Sequence, residues 1–148
     1  MFNWLDSRKD IGLLILRFFV GIRLFYGVVD NIMSWAHMKE FEVFLASQNF
    51  PIPLVSAVVS VYAQAIAGIL FVIGWEVRWV AIVMTINFLI ATLMVHWGQS
   101  FEQMTTVLFM IISSVTLFFT GAGRYSIDER KSALIEEPMN ERRSFPLK

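Results

Sequence analysis

Residues 11–29, IGLLILRFFVGIRLFYGVV, decide the fold. They form an apolar run of bilayer-crossing length, since about 20 helical residues rising 1.5 Å each traverse a hydrocarbon core of roughly 30 Å. Two charges interrupt it, Arg17 and Arg23. A cation near the centre of a membrane helix costs roughly 2.5–3.5 kcal/mol on insertion scales, so each guanidinium must reach water, headgroups or polar partners. If partners inside a helix bundle receive them, that place is the expected site.

On either side of the run, the preceding MFNWLDSRKD has the charge of a secretory lead, but DNIMSWAHM after it offers no small-x-small cleavage site. The reading is a retained first helix. Three more runs, residues 53–74, 78–97 and 101–120, each reach about twenty residues. Links of a few residues, around 75–77 and 98–100, make the last three helices antiparallel neighbours. The expected fold is all-α, a transmembrane four-helix up-and-down bundle spanning residues 1–128, followed by a polar cytoplasmic tail over 129–148.

Composition agrees with a membrane protein of one domain. Of 148 residues 57% are hydrophobic and only 16% charged, more apolar surface than a soluble domain of this size hides. The formal net charge is zero, so nothing points to nucleic acid. There is no cysteine, which excludes disulfides, thiol nucleophiles and thiolate metal sites carried by this chain.

Charge sets the expected orientation. Four spans put both ends on one side, with Arg8, Lys9, Arg78, Arg124, Arg130, Lys131, Arg142, Arg143 and Lys148, against Lys39 alone on the other. The positive-inside rule makes both termini cytoplasmic. Trp4, Trp35, Trp75, Trp79 and Trp97 fall at span edges, where amphipathic rings meet headgroups. Between the first two spans, Phe41, Phe44 and Leu45 share a helical face opposite Lys39, Glu40 and Glu42. That is the pattern of a short outer amphipathic helix, either a lid over the bundle or a helix resting on lipid.

The strings LRFFVGIRLFYGVV, FPIP with YAQAIAGILFVIGW, and GAGRYSID at residues 121–128 together resemble the DoxX family. The resemblance implies a small four-helix protein of the bacterial or archaeal plasma (inner) membrane. It implies an accessory subunit of a quinone-linked membrane redox assembly, without catalytic groups of its own. The chain departs from the family pattern at three places: Asp30 stands where relatives carry a basic residue, Gln64 where they carry an acid, and Asn49 replaces a usual glycine.

Polar groups are placed by counting depth from the expected cytoplasmic end. Arg23 falls roughly 18 Å deep and Gln64 and Asn87 roughly 15 Å, near one midplane level. They form the candidate ligand-binding layer, for a polar headgroup or a quinone carbonyl; interhelical glue is the plainer alternative. Ser56, Ser60, Gln64 and Gly68 recur every four residues, a small-residue stripe that turns Gln64 toward another helix. On the third run Asn87 lies opposite His96, and the cost of an asparagine in lipid turns Asn87 inward. Arg17, about 9 Å in, either stretches to the headgroups or is received by Ser113 and Ser114, and it joins the candidate ligand-binding residues. Asp30 and His96 make an expected outer polar cluster; no metal-ligand spacing accompanies them.

No phosphate loop, nucleophile elbow or paired carboxylate lies in a span, and no catalytic residue is assigned. The cofactor is left open with quinone among the candidates, since no haem, flavin or metal signature is present. Expected partners are the lipid bilayer and other subunits of a redox complex, with a homo-oligomer left open. Two other functions stay open: a structural protein anchoring a partner through its tail, and a small-solute or proton pathway.

Overall fold

A computed structural model describes residues 8–95 and 100–134, and every described element is helical. In chain order these are α1 (Lys9–Tyr26), α2 (Val29–Met33), α3 (Trp35–Ser47), α4 (Pro53–Ile73), α5 (Val77–Met94) and α6 (Phe101–Thr120), and residues 127–134 are helical as well. Three of them, α4, α5 and α6, are long and apolar enough to cross a membrane. The first helix has the length but carries four charged residues, Lys9, Asp10, Arg17 and Arg23. It also starts two residues earlier than the apolar run and stops sooner, at Tyr26, where the chain turns through Gly27 and Val28.

These helices are apolar outside as well as within. Only 33%, 28% and 28% of the spanning windows of α4, α5 and α6 are buried, while Ile69, Leu93, Ile112 and Phe119 stand on the exterior. In water that surface would be a severe liability; against acyl chains it is matched. Association then depends on close packing rather than on expelling water. At the crossing of α1 and α4 a Cβ on Gly68 would lie 2.7 Å from the Gly21 carbonyl oxygen, and one on Gly21 2.6 Å from that of Gly68. No side chain fits there, so the two backbones touch.

Two apolar clusters result. One joins the four long helices through Val20, Leu24, Phe71, Met84, Val107 and Leu117. The other packs Met38 and Leu45 of α3 on Ala57, Val61 and Ala65 of α4. The segment α3 therefore lies against α4 with Lys39 and Glu40 outward, and Lys39 pairs with Glu42 at 2.8 Å. Asn49 closes it at φ +58°, the left-handed region where glycine is most at ease and asparagine the best-tolerated substitute. Trp35, Trp75 and Trp79 sit at helix ends and are exposed; Trp4 and Trp97 lie outside the described residues.

Candidate functional site

Arg23 belongs to the last turn of α1 and is exposed. Its guanidinium does not stay at the level of its own Cα: a Cβ on Gly27 would lie 2.7 Å from Nη1, so the side chain runs one turn along the helix over a position without a side chain. That displaces the charge by about 6 Å toward the α3 end. It borders a cavity of about 320 Å³ shared with Gln64, Gln103, Thr106 and Met110. Within the described residues the Arg23 guanidinium makes no hydrogen bond or ion pair, so its donors remain open to whatever fills that cavity.

Gln64 forms the inner wall and continues into a hydrogen-bond chain. Its Nε2 donates to Ser60 Oγ at 3.1 Å, and that hydroxyl donates to Asn87 Oδ1 at 3.0 Å, tying α4 to α5. Asn87 thus points into the protein, and Thr85 and Thr92 return their hydroxyls to the carbonyls of Ala81 and Phe88 four residues back. A threonine can satisfy itself within its own helix, whereas an amide needs a neighbour. The chain joins Gln64 and Asn87 through Ser60, and Arg23 meets the same group through the cavity it shares with Gln64.

Arg17 is elsewhere and differently held. It is 1% exposed, and its partners are neither headgroups nor serines: Nη1 donates to the Ala122 carbonyl and Nη2 to that of Tyr125. Ser113 and Ser114 are buried on α6 without receiving it, and Ser114 Oγ, like Arg17 Nε, has no partner among the described residues. The acceptors belong to residues 121–128, the GAGRYSID segment, which is fastened on every side. Arg124 N–H donates to Asp10 Oδ1, and Ser126 Oγ accepts from Glu129 N–H to start the helix at 127. Asp128 accepts from the N–H groups of Glu76 and Val77 at 2.8 and 3.1 Å, capping α5 from fifty residues away, while its own N–H donates to Gly74. Gly74, at φ +73°, faces the guanidinium so closely that a Cβ would lie 2.7 Å from Nη1.

Of the expected outer cluster of Asp30 and His96, only Asp30 lies among the described residues. Asp30 is exposed, and its Oδ1 accepts only the neighbouring Asn31 N–H; His96 lies outside the described residues. Reading residues alone missed Ser60, Gln103 and Asp128. The first hid in a stripe that also serves packing, and the second in the capping box with which Ser100 opens α6. The sequence did carry a signal for the segment around the third, because Ser126 and Glu129 have capping-box spacing.

The DoxX family model matches residues 12–97, more than half of the sequence. No curated protein and no solved structure matches.

Proposed function

The chain belongs to the DoxX family, and from that premise we propose that it is an accessory subunit of a quinone-linked redox assembly in a bacterial or archaeal inner membrane. In this reading α1, α4, α5 and α6 form one up-and-down bundle over residues 1–128. Both ends and the polar tail over 129–148 are cytoplasmic, and α3 lies on the outer side.

The observation that carries the reading is the Arg23 cavity: an arginine without a protein partner among the described residues faces Gln64 across about 320 Å³. A quinone supplies two-electron, two-proton chemistry when bound. Its carbonyl oxygens are hydrogen-bond acceptors, and the residues fit such a group, because Arg23 presents guanidinium N–H donors and Gln64 an amide at one wall. Leu24, Phe88 and Met110 supply an apolar wall beside them. The chain's part is to hold and orient the molecule for a catalytic partner.

Replacing Arg23 with Leu is expected to lower quinone-linked turnover of the parent assembly at least about tenfold, the loss of one charge-assisted hydrogen bond, with membrane insertion intact. Normal turnover in that variant rejects the reading. The mounting of residues 121–128 on Arg17 favours a second one, a structural protein that presents the tail to a partner. Co-purification in mild detergent separates them: a redox partner with a quinone spectrum supports the first, a partner without redox groups the second.

A further inference from the structure

A second chamber, of about 380 Å³, lies beneath α3 and shares Gln64, Phe88 and Val107 as a wall with the Arg23 cavity. We propose that this chamber is a separate binding site for a neutral, mostly apolar small molecule bearing one hydrogen-bond acceptor, a carbonyl or ether oxygen, which Asn87 receives. The proposal goes beyond the Arg23 reading and stands or falls independently of it.

Three observations carry the chemistry. The volume lies in the range of small-molecule sites, and Phe41, Phe44, Leu45 and Phe50 roof it from α3 and the turn after it. No charged side chain lines it among the described residues, so an ionic occupant would be desolvated without compensation. The remaining polar function is directional. In the chain from Gln64 through Ser60 to Asn87 each group donates to the next, so the Asn87 oxygen is engaged. Its amide N–H groups have no partner among the described residues and are strengthened as donors by the bond arriving at the carbonyl. A hydrocarbon chain filling this space would leave those donors unmet. A molecule presenting an acceptor meets them.

Benzophenone, a diaryl ketone that attaches covalently to nearby C–H bonds on irradiation, is a probe of the right class. The full chain in detergent is irradiated with it and the adducts are located by peptide mass spectrometry. Adducts concentrated on Phe41, Phe50 and Ala91 support the site, and Asn87→Leu is expected to reduce them about fivefold, the factor one neutral hydrogen bond confers. Arg23→Leu should leave them unchanged, which separates this test from that of the Arg23 reading. Ala91→Phe fills the chamber from its wall without altering the hydrogen-bond chain and should abolish labelling, so it decides the matter if Asn87→Leu fails to fold. Labelling of the exterior residues Ile69, Leu93, Ile112 and Phe119 as heavy as that of the chamber, or labelling that neither chamber variant reduces, overturns the proposal.

Discussion

Arg17 and Arg23 are six residues apart in one apolar helix, and by letter and hydropathy they are the same anomaly. The fold gives them opposite treatments. Arg17 is sealed among backbone carbonyls, whereas Arg23 extends over Gly27 into a cavity. A depth count locates the Arg23 Cα and not the end of its long side chain, which runs one turn along the helix over Gly27. Sequence reading missed the acceptors of Arg17 for a deeper reason: a carbonyl oxygen belongs to every residue, and Ala122 and Tyr125 announce nothing of the role. Gln64 and Asn87 were legible because amides at membrane depth must find partners. Replacing Arg17 with Met strands two carbonyls and is expected to cost about 3 kcal/mol, read as a lowered unfolding midpoint in detergent. Arg17→Lys should recover only part of it, since an ammonium lacks the planar fork that reaches two acceptors at once.

At the scale of elements, the apolar runs predicted α4, α5 and α6 closely, because lipid selects for unbroken hydrophobic helices and short links. Boundaries were less legible where a glycine decides. The run from residue 11 continues apolar through Val29, but the helix ends at Tyr26 and resumes as α2. The segment α3 packs on protein through Met38 and Leu45, which face α4, and leaves Phe44 exposed at its rim. Gly68→Val should force α1 off α4, since the added Cβ meets backbone that has no rotamer to change. A loss of roughly 1–3 kcal/mol is expected, visible as a lower thermal midpoint. Asp128→Ala removes the acceptor from the start of α5 and should cost about 1 kcal/mol in the same measurement.

For the whole molecule, the cysteine-free sequence makes the proposed sidedness directly measurable. A single cysteine at Ala36 should react with an impermeant maleimide in intact cells, and one at Ser132 only after permeabilisation; the reverse pattern inverts the assigned orientation. Composition conveyed the solvent of this chain at once, whereas the architecture of its last segment depends on contacts between residues more than a hundred positions apart. That separation has a consequence in time. Ribosomes emit roughly 5–20 residues per second, so residue 17 is synthesised roughly 5–20 s before the carbonyl groups that will receive it exist. During that interval the newborn protein carries an unmatched cation, a recognisable flag for insertases and quality-control proteases. A stop codon just ahead of Gly121 would make the flag permanent, and rapid degradation of that truncated product is the expected fate.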